Sequence, residues 1–353
     1  MTDDPNSTFA KTSGDLTNFW YIAARSKELR KKPIQRRIFS QNIALFRDSD
    51  NKPAALLDRC AHRNIALSQG KRNDNCLECP YHGWRYDRTG TCQGIPALGD
   101  TPPPPNARVP AYPTREQDGF IWVYMGGDKA KAATDPIPFP NLTTPGWTTF
   151  VMKTRFQAGV EACLENFLDC PHTVYVHRGW FRTPDAKSLT ANVIRDSTGA
   201  RVEFDGEPIS ASLVSKLLFP KGRQLHHTDR FIIPNISRVD YDFGPRRHFI
   251  ITSQCTPIDE RETEVYTVIS YTFGKIGPLV RLAFHPMSRR IIKQDVDILK
   301  DMTENVEAFG GESFAHAETD LLGLHIQSLR RRLARGETIP ENDASEKSIE
   351  IRF

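Results

Sequence analysis

Cys60-Ala61-His62-Arg63 and Cys79-Pro80-Tyr81-His82-Gly83-Trp84 decide how this sequence is read, and sixteen positions separate His62 from Cys79. Two thiols and two imidazoles on two short loops make a four-ligand metal site. A structural zinc site is one reading. Zinc fingers, however, usually present two cysteines followed by two histidines, whereas here the order is Cys, His, Cys, His. That alternation suits a two-iron cluster in which each loop gives one Cys to one iron and one His to the other. Pro80 and Gly83 suit tight loops whose backbone N–H groups can approach cluster sulfides. Cys76 and Cys92 fall in the same stretch, but with four ligand places filled they read as ordinary small residues, as do Cys163 and Cys255.

The chain around these loops has 353 residues, enough for two or three domains. Its 39% apolar and 25% charged residues are ordinary for a folded chain with a real core. Lys and Arg number 47 against 43 Asp and Glu, a net charge of +4 that is too weak for a nucleic-acid or membrane-surface footprint. No apolar run approaches the ~18 residues of a membrane span. Met1-Thr2-Asp3-Asp4-Pro5 is acidic and polar, so neither a secretory signal nor an Arg-rich transit peptide is expected, and a cytoplasmic location is. Seven cysteines, an odd count in a chain of this length, favour metal or catalytic use over a disulfide framework.

Residues 18–130 read as short strands and tight turns, with Asn42–Arg47 and Pro53–Asp58 flanking a hairpin turn at Asp48–Lys52. The seven prolines between Pro96 and Pro113 exclude helix and central strand there. The boundary is placed in the Pro/Thr/Gly-rich stretch near 130. Residues 131–336 mix strands with helices. Strands are expected at Thr148–Phe156, Leu189–Ile194, Arg201–Phe204, Phe231–Tyr241, His248–Thr256 and Glu264–Phe273, joined by hairpin turns. Helices are expected at Ser288–Phe309 and Thr319–Arg335. This order argues α+β with an antiparallel sheet, and residues 337–353 read as a loose polar tail.

The second domain carries Glu165-Asn166-Phe167-Leu168-Asp169-Cys170-Pro171-His172-Thr173-Val174-Tyr175-Val176-His177. Helical spacing puts Glu165, Asp169 and His172 on one face. An unbroken helix would point His177 about 140° away from His172, but Pro171 should end or kink the helix and can let the two rings converge. Two imidazoles need a carboxylate to complete a facial triad for non-haem iron. In Ser288–Phe309 the apolar stripe runs Ile292, Val296, Leu299, Met302, Val306 and Phe309, and Asp295 lies within it, whereas Asp297 and Asp301 face the other way. A carboxylate in an apolar stripe is costly unless paired or metal-bound, which singles out Asp295, a buried salt bridge to Arg being the other reading.

The first motif, down to Cys79-Pro80-Tyr81-His82-Gly83-Trp84, resembles the Rieske [2Fe–2S] domains of ring-hydroxylating oxygenases. Glu165-Asn166-x-x-Asp169-x-x-His172-x₄-His177 resembles the mononuclear iron motif of Rieske non-haem iron oxygenase α subunits. The likeness is greatest to the α-only members, of the dicamba monooxygenase and vanillate O-demethylase type. The resemblance implies that Cys60, His62, Cys79 and His82 hold the cluster and that His172, His177 and Asp295 hold Fe(II). It also implies that Asp169 hydrogen-bonds His172 and, across an interface, His82 of the partner subunit, in a homotrimer. The implied fold is an all-β Rieske domain joined to a helix-grip domain, an antiparallel sheet around a long C-terminal helix. The implied activity is monooxygenation, including oxidative demethylation, of an aromatic or cyclic organic substrate with O₂; ring cis-dihydroxylation and desaturation use the same metal sites. No Gly-x-Gly-x-x-Gly is present, so electrons are expected from a separate reductase, directly or through a ferredoxin. Arg59, Arg63, Lys71, Arg72 and Arg85 near the cluster are candidates for docking an acidic donor.

Overall fold

A computed structural model describes residues 16–126, 134–178, 180, 188–205, 225–244 and 247–352. They divide into two units, Thr17–Pro138 and Phe139–Phe353, the second also taking Leu16. The boundary expected at 130/131 lies outside the described residues.

The first unit is built from short strands. β1 (Trp20–Arg25), β2 (Ile34–Ile38), β3 (Gln41–Arg47) and β4 (Pro53–Leu57) come first. β5 (Lys71–Asn73), β6 (Cys76–Glu78), β7 (Arg85–Tyr86) and β8 (Cys92–Gly94) follow, then β9 (Ala111–Tyr112), β10 (Thr114–Gln117) and β11 (Phe120–Tyr124). They form three antiparallel sheets, ordered β1-β11-β10, β2-β3-β4-β9 and β5-β6-β7-β8. The β3–β4 hairpin explains its own unbroken apolar run, because neighbouring residues of a strand face opposite ways. Ile43, Leu45 and Ala55 point into one core, with Tyr21, Ile121 and Val123. Ala44, Phe46, Ala54 and Leu56 point into another, which also contains Cys60 and Cys79. The hairpin is thus a wall between two cores, and one of those cores carries the cysteines.

In the second unit the strands are β12 (Thr148–Phe156), β13 (Ser188–Asp196), β14 (Gly199–Asp205), β15 (His226–Ile232), β16 (Ile236–Asp242), β17 (His248–Pro257), β18 (Thr263–Tyr271) and β19 (Ser345–Arg352). They make one antiparallel sheet in the order β12-β18-β17-β16-β15-β14-β13-β19. The described helices of this unit are α1 (Val160–Leu168), α2 (His172–Tyr175), α3 (Gly277–Ala308) and α4 (Gly323–Ala334). Leu164 and Leu168 of α1, Leu299 of α3 and Ile326 and Leu329 of α4 share a core with Val193, Val202 and Phe231 of the sheet. α3 also lies along β12, where Phe284 packs with Phe150 and Tyr271. This is the α+β, helix-on-antiparallel-sheet arrangement expected.

Four expectations need correction. The single strand expected over Phe231–Tyr241 is two, β15 and β16, because Pro234 lacks a ladder donor and stands in the turn between them. The long helix begins at Gly277, not Ser288, and runs through Pro286. Pro286 frees the carbonyl of Leu282, a residue 73% exposed, so water can satisfy it. The stripe stops short of Phe309, which lies past the helix end and is exposed. The segment after Gly336, expected as a loose polar tail, forms β19 on the edge of the sheet. It pairs with β13 from Ser345 to Arg352 and buries Ile351 against the core, so its alternation of Ile349 and Ile351 with Ser348 and Glu350 is that of a half-buried strand.

Candidate metal centres

Two loops of the first unit share one geometry. After β4, the Cys60 N–H donates to the Ile65 carbonyl at 2.9 Å and the Asn64 N–H returns to the Cys60 carbonyl at 2.9 Å. After β6, the Cys79 N–H donates to the Trp84 carbonyl at 2.8 Å and the Gly83 N–H returns to the Cys79 carbonyl at 3.1 Å. The fourth residue after each cysteine is left-handed, Asn64 at φ 60° and Gly83 at φ 71°. Asn tolerates that conformation. At position 83 a Cβ would also stand 2.9 Å from Pro96 Cγ, so only glycine fits.

These loops bury the two sulfurs and leave the imidazoles outward. Cys60 and Cys79 are 2% and 3% exposed, His62 is half-buried and His82 exposed. The two His rings lie 4.6 Å apart, and His62 stacks on Trp84 at 4.7 Å. Burial pushes the Cys79 thiol up, and the neighbouring Cys60 sulfur adds to this, while the Tyr81 and His82 N–H groups point at the Cys79 sulfur. The Tyr86 hydroxyl is 3.2 Å from the Cys60 sulfur. His62 Nδ1 is buried with no hydrogen-bond partner, and desolvation, then His82 and Arg63, keep this ring below its ordinary pKa. Buried sulfurs beside N–H donors and an orphaned imidazole nitrogen fit a thiolate- and imidazole-bound cluster.

The other candidate ligands converge in the second unit. α1 ends at Leu168, Asp169 is extended (φ −91°, ψ 95°), and α2 starts after Pro171. The Thr173 hydroxyl closes the break by donating to the Cys170 carbonyl at 2.7 Å. The break turns His172 toward His177, with their Nε2 atoms 3.3 Å apart. Asp295, on α3 and 5% exposed, places Oδ1 3.1 Å from His177 Nε2 and 3.6 Å from His172 Nε2.

Protonation follows from the outer partners. His177 Nδ1 donates to Gln294 Oε1 at 3.1 Å, and His172 Nδ1 donates to the Asp169 carbonyl. Each ring thereby keeps its proton on Nδ1 and turns a lone pair on Nε2 toward Asp295. Asp295 Oδ1 is buried and accepts no hydrogen bond. Three acceptor atoms facing one another repel unless a cation lies between them. Their spacing is close to the ~3.0–3.4 Å of neighbouring ligands ~2.1 Å from one ion. The donor set fits a divalent metal.

Two expectations are modified. Glu165 does not join His172: it accepts from Gln327 of α4 at 2.9 Å, because the break separates the two residues from a common face. Asp169 reaches His172 through its carbonyl, freed by the end of α1, while its carboxylate is exposed and 3.9 Å from the ring. Gln294 carries no role in the sequence reading beyond preceding Asp295, since nothing in an amide's type or spacing marks it as the partner of His177.

Both parts of the chain match known proteins. Residues 19–113 match the model of the Rieske [2Fe-2S] domain, and residues 156–336 match that of the vanillate O-demethylase oxygenase C-terminal domain. A 4beta-methylsterol monooxygenase of Methylococcus capsulatus is 34% identical over 77% of this chain and 72% of its own. A putative toluene-4-sulfonate monooxygenase system iron-sulfur subunit of Comamonas testosteroni is 35% identical over 52% of this chain and 53% of its own. The match spans about half the length of several of the curated relatives. The crystal structure of dicamba monooxygenase bound to 3,6-dichlorosalicylic acid superposes with a TM-score of 0.81, at 25% identity, over 91% of this chain and 98% of that one. With both halves matched in order along one chain, the protein belongs to the α subunits of the Rieske non-haem iron oxygenases.

Proposed function

We propose that this chain is a terminal oxygenase component that monooxygenates an aromatic or cyclic organic substrate, by hydroxylation or oxidative demethylation, with O₂ and electrons from a separate reductase or ferredoxin. The observation that carries it is the convergence of His172 Nε2, His177 Nε2 and Asp295 Oδ1, two imidazoles and a carboxylate that would hold an Fe(II). Iron so held supplies the redox chemistry that activates O₂ once electrons arrive. Cys60, His62, Cys79 and His82 would hold the cluster that receives them, the two sulfurs buried and the His82 ring exposed.

The chain's own groups do the rest. Gln294 and the Asp169 carbonyl keep both iron-facing nitrogens deprotonated. In this reading the exposed Asp169 carboxylate bridges His172 and His82 of the partner subunit, and the working assembly is a cyclic homotrimer; the exposure of that carboxylate supports it. Exposed Arg59 and Arg63 beside His62, with Arg72, offer positive charge to an acidic electron donor. Seven cysteines without a disulfide suit a cytoplasmic location; among the described residues no helix is long and apolar enough to cross a membrane.

The test is Asp295→Ala with a surrogate reductase. Loss of the mononuclear iron and of substrate-dependent O₂ uptake, with the Rieske absorption intact, is expected; retained oxygenation would remove Asp295 from the site.

A further inference from the structure

Cys170 stands in the break between α1 and α2 and takes no part in either centre described above. It is 4% exposed and packs in the same core as β13, β14 and β15. Two residues of β15, His227 and Asp229, lie on the same face of the strand and are 2% and 3% exposed. His227 Nε2 is 2.9 Å from Asp229 Oδ1. One ligand atom of each of the three residues lies within 4.8 Å of the others. The His227 ring is clamped between Phe204 and Tyr241, with centroids 4.7 Å and 4.3 Å away and both planes inclined by 15°.

We propose that Cys170, His227 and Asp229 form a further metal site, of the kind that takes Zn²⁺, that ties the break after α1 to β15. Mixed sulfur, nitrogen and oxygen donors suit zinc, a borderline ion with no geometric preference of its own. One thiolate and one carboxylate neutralise the 2+ charge, so the loaded site carries no net charge into the core, where an uncompensated charge would be expensive. The strand presents two ligands already fixed, one of them with its ring plane set by stacking, so loading requires little reordering. Three protein donors leave a fourth position of the tetrahedron for water. Occupied, the site would anchor the Asp169-Cys170-Pro171 turn, which sets His172 and presents Asp169.

The experiment uses Asp295→Ala protein, in which the His172/His177 site has lost its carboxylate and offers no sulfur to zinc, selected for full Rieske absorption. It is equilibrated with Zn²⁺ alone, freed of loose metal by gel filtration, and examined by elemental analysis and zinc-edge X-ray absorption. One zinc per chain is expected, with a single sulfur scatterer at about 2.3 Å. In Asp295→Ala/Cys170→Ser the sulfur shell disappears and zinc retention falls at least tenfold. Asp295→Ala/Cys163→Ala, which removes a buried thiol outside the cluster, keeps both. Absence of zinc from Asp295→Ala, or a sulfur shell that persists in the Cys170→Ser protein, would overturn the proposal.

Discussion

His177 illustrates how much of the site depends on a single outer contact. Its Nδ1–H donates to Gln294 Oε1, and that one bond decides which nitrogen faces Asp295. Gln294→Leu removes the acceptor without adding charge. Iron affinity is expected to fall by about 10–100-fold, measured by chelator competition, while the Rieske spectrum stays unchanged. Gly83 has the same standing in the first unit. Gly83→Ala faces a left-handed backbone cost of roughly 1–2 kcal/mol and a clash with Pro96. It should give protein with a depleted or labile cluster, whereas Asn64→Gly, at the matching place in the other loop, should keep a full one; visible absorption per chain distinguishes them. The candidate ligands could be picked out of the sequence because few residues can bind metal and the alternating order is uncommon. Gln294 could not, because an amide on a helix carries no mark of what it orients.

At the scale of elements, the break at Asp169–Pro171 was readable from the proline alone, and it is the break that brings two histidines five residues apart to one point. Asp295 was readable as a carboxylate in an apolar stripe, and it is buried beside Leu299 in the helix core. The hairpin of β15 and β16 and the early start of α3 were not readable. Proline marks a local restriction, and whether the chain turns there or carries on depends on what covers the freed carbonyl. β19 was missed because a polar edge strand shows its pairing only when its partner is known. Ile351→Asp, placing an unpaired carboxylate where 2% is exposed, should destabilise the second unit by roughly 3 kcal/mol in denaturant unfolding. β3 and β10 are linked by buried Arg47, which donates twice to Glu116, each at 2.8 Å. That bond holds Glu116 below its ordinary carboxylate range. A depressed carboxylate contributes stability in full above its unfolded value near pH ~4.3, and that contribution is lost as pH falls through the lower folded value. Glu116→Gln should therefore weaken the first unit at neutral pH and reduce the steepness of its acid unfolding, read by fluorescence between neutral pH and pH ~2.

The whole molecule carries two different donor sets in one chain. The first buries two sulfurs and presents two imidazoles. The second aims two imidazoles and a carboxylate at a common point in a core that leaves Asp295 Oδ1 without a hydrogen bond. Asp169 turns its carboxylate outward, and the proposed bridge between subunits rests on it. Asp169→Asn should retain both metals, yet leave the reduced cluster reduced in the presence of O₂ and substrate, followed by stopped-flow absorption; normal reoxidation would take the bridge out of the account. The most direct measurement is iron and acid-labile sulfide per chain in anaerobically purified protein, with an EPR spectrum of the reduced state. Three irons and two sulfides with a Rieske signal are predicted; two irons, or zinc in the Cys60 and Cys79 loops with no sulfide, would contradict it.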